Sequence, residues 1–197
     1  MRIIALAVLF LAVPSLGAPA KAADYALSED GASITYSVKT LGFFRRSGAF
    51  KKFEIRLRFD EAAPAQSILV ADIDMTSATM AAEGATERIK GPAWFDVENY
   101  PTSEFRATAI PPLRGGDVMI DGVYKMRGET APLRLDVRYD EPERDADGEI
   151  RAVNIVADGE IDRRVYDMNG MAGLVGRMVG ITINARLVRV EADDEEN

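Results

Sequence analysis

The chain of 197 residues contains no cysteine and no histidine. Without cysteine there is no disulfide framework, no thiol nucleophile and no thiolate for zinc or an iron–sulfur cluster. Without histidine, a Ser-His-Asp arrangement and a histidine-ligated haem are excluded, as is the side chain that most often moves protons near neutral pH. Positive charge is also scarce: 24 Lys and Arg face 32 Asp and Glu, a formal charge of −8. A phosphate backbone is repelled by such a balance, so nucleic acid is not an expected partner. The eight methionines are scattered among apolar residues and read as packing groups rather than soft-metal ligands. No catalytic residue, metal or cofactor is expected.

Long apolar runs are missing too, with one exception at the start. Met1-Arg2 leads into an apolar stretch from Ile3 to Val13, and Ala20-Lys21-Ala22 follows. A helix that crosses a bilayer takes about 20 apolar residues, and this stretch is roughly half that. A charged start, a short apolar core and an Ala-x-Ala site are the pattern of a cleaved secretory signal over residues 1–22. The expected mature protein is a single domain over residues 23–197, exported to the periplasm. Without Arg2 and Lys21 it carries 22 basic against 32 acidic residues, a charge of −10 that keeps an exported protein soluble.

What the chain has in abundance is alternation. Ile34, Tyr36 and Val38 alternate with Ser33, Thr35 and Ser37; Phe53, Ile55, Leu57 and Phe59 alternate with Glu54, Arg56 and Arg58. A period of two with one apolar face is a half-buried strand. Further strands are expected over Tyr25–Leu27, Leu69–Met75, Glu104–Ile110, Val118–Met126, Leu133–Tyr139, Val153–Ile161 and Gly180–Val190. Between Val123–Met126 and Pro132–Val137 the chain is hinged at Gly128, which can take the positive φ of a tight connection. Two segments break the period. Thr86–Phe95 reads as a short helix capped by Thr86, and Tyr166–Met178, with three glycines and three methionines, as a loop at a barrel mouth. The expected fold class is all-β: a single antiparallel barrel of about eight strands with one short helix, although periodicity alone also admits a sandwich. An eight-stranded barrel can be filled by its own side chains or hold one small ligand.

Several of these segments resemble the YceI-like family of bacterial exported proteins. They are Leu41-Gly42-Phe43 and Gly48-x-Phe50 after the first long strand, Phe59-Asp60, Trp94-Phe95-Asp96-Val97 with Tyr100-Pro101 and Phe105, the stretch from Gly122 to Leu135, and Ile161-Asp162-Arg163. The resemblance runs from Ser33 to Arg189. It implies a lipocalin-like barrel that binds a polyisoprenoid or similar long apolar lipid, such as a quinone. Thr40, Thr86, Arg88, Val165 and Asp167 depart from the family pattern at positions expected to rim the cavity, so they bear on the head group of the ligand.

On this reading the tunnel wall is drawn from Tyr36, Val38, Phe43, Phe50, Phe53, Ile55, Leu57, Trp94, Phe95, Phe105, Leu133, Leu135 and Met168, with Arg163 inside the mouth. Arg163 is expected to form a buried ion pair with an acid such as Asp162 or Glu160, ahead of the other reading, in which it meets a quinone oxygen or an anionic head group. Met168, Met171 and Met178, with Leu174 and Val175, either pack the barrel end or form an apolar lip in transient contact with a membrane surface. Opening near two expected loops, residues 42–47 and 166–178, would release the ligand. Asp72 and Asp74 share a strand face but lie opposite Leu69, Ala71 and Ile73, which makes them a solvated surface rather than a hydrolase dyad. The alternative is a filled structural barrel that acts through protein–protein contacts in the envelope. A homodimer is compatible with either.

Overall fold

The computed structural model describes residues 22–28, 31–82, 84–112 and 116–191; the expected signal sequence and the acidic tail after Glu191 lie outside them, apart from Ala22. The strands, in chain order, are β1 (Ala23–Leu27), β2 (Ser33–Thr40), β3 (Phe44–Phe50), β4 (Phe53–Phe59), β5 (Ile68–Asp74) and β6 (Ala78–Met80). After the single helix α1 (Ala85–Lys90) come β7 (Thr102–Ala107), β8 (Gly116–Met126), β9 (Glu129–Tyr139), β10 (Glu143–Arg144), β11 (Ile150–Asp162) and β12 (Val175–Arg189).

Alternation becomes architecture directly. In β4, Ile55, Leu57 and Phe59 are buried while Glu54, Arg56 and Arg58 are exposed. β8 and β9 repeat the pattern over 11 residues each, and they are joined by Arg127 and Gly128 with φ of 52° and 80°. Two residues at positive φ form the hairpin connection whose twist matches that of the flanking strands. The outward faces carry cross-strand ion pairs such as Arg134 with Asp121 at 2.6 Å and Arg138 with Asp158 at 2.9 Å, contacts that set register more than stability.

The antiparallel neighbours run β11–β9–β8–β7–β5–β4–β1–β12, and β12 returns to β11, which closes an eight-stranded barrel. One half of it departs from a regular cylinder. β12 pairs with β1 through Leu187–Arg189 and with β2 through Val175–Asn184, so β1 and β2 are successive parts of one broken edge. Two more breaks lie side by side. Between β3 and β4 the Lys51 and Lys52 N–H groups both donate to Ser77 Oγ at 3.0 Å, and Ser77 belongs to the 3-10 turn Met75–Ser77 between β5 and β6. Beyond this paired kink β6 ends the sheet and has no β7 partner among the described residues. Helix α1 and residues 91–101 occupy the gap: Phe95 N–H donates to Ile89 O at 2.9 Å, Val97 N–H to Lys90 O at 3.0 Å, and Met75 N–H to Pro101 O at 2.8 Å.

Three local expectations are corrected here. The stretch after Gly42 is strand from Phe44 onward, because it pairs residue by residue with β2 from Thr40↔Phe44 to Ile34↔Phe50. The glycine-rich segment is a loop only to Leu174; β12 begins at Val175, since strand pairing with β11 and β2 overrides weak local propensity. Thr86 does not cap the helix. Gly84, with a left-handed φ of 65°, takes that position, while Thr86 Oγ1 accepts from Met80 N–H at 3.0 Å and ties the helix to β6.

Candidate functional site

The two halves of the barrel differ in what fills them. At the end where Ile55, Leu57, Phe105, Leu135, Val137 and Tyr139 converge, only about 60 Å³ is left. At the splayed end a cavity of about 490 Å³ opens, within the size range of roughly 300–1,000 Å³ that small-molecule sites occupy. The kinks and the inserted helix hold the wall apart there, and the inward side chains no longer meet across the axis.

The cavity wall is built from alternate strand positions. Tyr36 and Val38 of β2, Phe50 of β3, Tyr124 and Met126 of β8, Ile161 of β11, and Val179 and Ile181 of β12 all face it. Tyr36, Phe50 and Phe95 form one aromatic cluster with ring centroids 5.0–5.6 Å apart. Tyr36 Oη donates to Thr79 O at 2.8 Å and Tyr166 Oη to Tyr124 O at 3.4 Å, while the Tyr124 hydroxyl shares a 2.9 Å hydrogen bond with Ser103. The buried hydroxyls are thus occupied by the protein itself, and the wall they leave is apolar.

Trp94 is the most firmly positioned of these groups. The Arg163 guanidinium lies 5.2 Å from its ring centroid, and Arg127 donates to the carbonyl oxygens of Pro92, at 2.8 Å, and of Trp94. Gly170 lies directly against the indole: a Cβ there would come within 2.3 Å of the ring. Gly170 N–H also donates to Ala93 O at 2.9 Å. Gly170→Ala is accordingly expected to displace the indole, with a shifted tryptophan emission and a melting temperature lower by several degrees; an unchanged emission spectrum would show that the ring has room to spare.

Arg163 is almost fully buried, with 1% of its surface exposed, and its environment corrects the expected ion pair. Its guanidinium donates to three backbone carbonyls, those of Gly176 at 2.8 Å, Val175 at 3.1 Å and Met168. Asp162 faces outward and pairs with Arg177 at 2.6 Å, because adjacent residues of a strand point to opposite faces. Burial lowers the Arg163 pKa, yet a guanidinium remains charged. It acts as a pin that fixes the loop between β11 and β12 across the mouth.

Of the residues expected in the tunnel, Tyr36, Val38, Phe50, Trp94, Phe95, Arg163 and Met168 line the large cavity. Ile55, Leu57, Phe105 and Leu135 lie in the filled end. Phe53 and Leu133 pack in the core and line neither space. Phe43 is outside: 75% of its surface is exposed. It is the last residue of the three-residue turn Leu41–Phe43, before pairing resumes, and the next residue, Phe44, lines the cavity instead. Met168 is buried, whereas Met171 and Leu174 form the rim. Tyr124, Met126, Ile161, Val179 and Ile181 were not among the expected tunnel residues, although the alternation within their strands places them on the inner face. Nothing in the sequence marked Arg127 as the clamp on Trp94. Asp72 sits on the outer face and pairs with Arg56, and among the described residues no cluster of acidic side chains is arranged to hold a metal.

Burial raises the pKa of the Tyr36 hydroxyl and raises those of Tyr124 and Tyr166 from 10.0 to about 12. In the folded protein the phenol keeps its proton after the unfolded chain has begun to lose it, so the hydroxyl's contribution to folding stability is constant below pH 10 and falls as pH rises from 10 through about 12. For fully buried Tyr124 the loss approaches about 3 kcal/mol. Urea denaturation across this range is expected to show the fall, and Tyr124→Phe to remove part of it. A curve that stays level to pH 12 would show that the hydroxyl ionises as it does in water.

The YceI-like domain family model matches residues 25–187, nearly the whole barrel. A UPF0312 protein of Vibrio cholerae is 29% identical over 136 residues, which cover 68% of this chain and 72% of the relative; one of Ectopseudomonas mendocina is 27% identical over 137 residues, with the same coverage. Among solved structures, Burkholderia cenocepacia BcnA superposes with a TM-score of 0.69 at 21% identity, over 81% of this chain and 98% of that one. A polyisoprenoid binding domain from Saccharophagus degradans, described as implicated in plant cell wall breakdown, gives 0.64 at 11% identity, over 84% and 98%. These two share the fold. With the family match spanning the barrel from β1 into β12, the chain belongs to the YceI-like family.

Proposed function

We propose that this protein is an exported carrier that binds the tail of a polyisoprenoid or similar long apolar lipid, a quinone among the candidates, and moves or stores it without chemical change. The observation that carries this reading is the cavity of about 490 Å³ at one end of the barrel, apolar along its wall and open at the rim. The YceI-like membership and the likeness in fold to a polyisoprenoid binding domain support it. Each CH₂ taken out of water contributes about 0.8 kcal/mol, so a tail needs few polar contacts to bind well. The cavity accepts the leading part of a long tail, and the rest lies toward the mouth. With neither histidine nor cysteine in the chain, the wall offers hydrocarbon and phenol rather than a nucleophile or a proton relay near neutral pH.

Trp94 is the only tryptophan in the chain and lines the cavity, so its emission reports on occupancy. Titration with ubiquinone or a polyprenol is expected to change that emission saturably at one lipid per protein. Native mass spectrometry of protein purified without detergent should show the same stoichiometric adduct. No saturable change with either lipid, and a bare mass after incubation, would instead favour a barrel that works through protein–protein contacts.

Export is part of the proposal and has its own test. The periplasmic fraction of the producing cells is expected to hold a chain whose N-terminus is Ala23. A cytoplasmic chain that keeps residues 1–22 would overturn it.

A further inference from the structure

The rim of the cavity carries apolar side chains that face water. Phe43, Leu41, Phe44 and Leu174 expose 75, 57, 51 and 50% of their surface, and Met171 47%. They form one patch. Leu41 N–H donates to Leu174 O at 2.8 Å, which ties the β2–β3 turn to the loop before β12, and the Phe43 and Phe44 ring centroids are 4.3 Å apart. Leu41, Phe44, Met171 and Leu174 also line the cavity. The apolar wall therefore continues without interruption onto the outer surface.

The charge around this patch runs against that of the whole chain. Residues 38–50, which hold the mouth end of β2, the turn and β3, carry Lys39, Arg45 and Arg46 and not one acid. Residues 168–181, the loop before β12 and the mouth half of that strand, carry Arg177 and again no acid. Arg88 and Arg46 both line the cavity, with Glu87 and Lys90 on the helix that carries Arg88. The acids on the β11–β12 side, Asp162 and Asp167, are met by Arg177 and Arg127 at 2.6 and 3.7 Å. The opposite end of the barrel is acidic: Asp140, Glu141, Glu143, Asp145, Asp147 and Glu149 lie in one connection. There Glu143 and Asp145 reach Arg186 and Arg189, toward the far end of β12.

We propose that the open end of the barrel is a docking surface for an anionic lipid bilayer, with Phe43, Leu41 and Leu174 entering the interface while Lys39, Arg45 and Arg46 face the head groups. Large exposed apolar patches mark interaction sites, and three observations select a bilayer as the occupant. Lys39, Arg45 and Arg46 flank the turn that carries the patch and Arg88 lines the mouth, as a negatively charged surface requires. Repulsion of the acidic far end turns the mouth toward that surface. The cavity opens inside the patch, so a tail can pass from hydrocarbon into the barrel without crossing water. The proposal deepens the carrier reading and rests on it for its purpose, but the surface itself is testable alone.

Co-sedimentation with vesicles of equal parts phosphatidylglycerol and phosphatidylcholine tests it. The purified protein is expected to sediment with these vesicles, to be released by added salt, and to stay in solution with phosphatidylcholine alone. Phe43→Ser and the double variant Lys39→Glu/Arg45→Glu, none of which lines the cavity, are expected to weaken binding on the order of tenfold or more. Their melting temperatures and Trp94 titrations with ubiquinone should match the parent. The proposal is overturned if the parent ignores the anionic vesicles, or if both variants bind them as the parent does. It is likewise overturned if the patch instead mediates a dimer that Phe43→Ser dissolves while vesicle binding is absent. Should ubiquinone uptake fail while charge-dependent sedimentation and its loss in the variants hold, the docking surface stands and the carrier reading falls.

Discussion

Val38→Phe combined with Val179→Phe is expected to reduce lipid binding at least tenfold while leaving the protein as stable as before. Val38 and Val179 are direct cross-strand partners on β2 and β12, and both side chains face the large cavity. Two phenyl rings there grow into open space rather than into neighbours. In a packed core the same change forces off-rotamer side chains and costs about 1–3 kcal/mol per site. The opposite end of the barrel provides the control: Ala157→Phe, where the wall already closes to about 60 Å³, should lower the melting temperature markedly. Thermal melts beside Trp94 titrations decide the matter. If the double valine variant melts as low as the control, the large cavity is filled in solution; if it melts high and binds lipid normally, the ligand lies elsewhere.

Arg163→Met is expected to be the most damaging single substitution in the barrel. The guanidinium satisfies the carbonyls of Met168, Val175 and Gly176 and covers the face of Trp94. Charge-assisted bonds of this kind are worth roughly 1.5–3 kcal/mol each, and buried acceptors left without donors carry a desolvation penalty. Because the nearby mouth admits some water to those carbonyls, the net loss is expected at about 3–5 kcal/mol, a drop of about 10 °C in melting temperature for a domain of this size. Arg163→Lys should recover little of it, because an ammonium cannot present a planar fork of donors to three carbonyls at once. Lipid affinity should fall with stability, since the loop that Arg163 pins supplies Met168 and Met171 to the cavity. A variant that melts within a degree or two of the parent would show that water replaces the guanidinium without loss.

The two substitutions probe different kinds of information in the chain. Val38 is legible from sequence as an inward residue, because a period of two is a local property that survives whatever the strand packs against. The same holds for Ile55, Leu57 and Phe105, which alternation also turns inward. Yet these end in the filled half of the barrel, and Val38 in the hollow half. Alternation assigns a side chain to a face of the sheet and says nothing of how far away the opposite wall stands. Arg163 illustrates the second gap. The sequence offers Asp162 and Glu160 as partners, but the guanidinium is met by backbone carbonyls of the segment that folds back over it, and carbonyls leave no mark in a sequence. Phe43 and Phe44 show the same limit at a single residue: which of two adjacent phenylalanines enters the barrel depends on the residue at which the turn ends and pairing resumes.

By itself the sequence determined the all-β class, the inward and outward sets of β2, β4 and β5, the tight connection at Gly128, and the lack of histidine and cysteine chemistry. All of these follow from composition and from interactions between residues close in the chain. Only the tertiary structure decided that the barrel is hollow at one end and filled at the other, that the mouth expected near residues 42–47 and 166–178 opens onto the hollow, and that basic side chains stand at its rim. Those properties arise because paired kinks at residues 51–52 and 75–77 and an inserted helix spread the wall. The space left over is set by the distance between strands far apart in sequence, and no single strand encodes it.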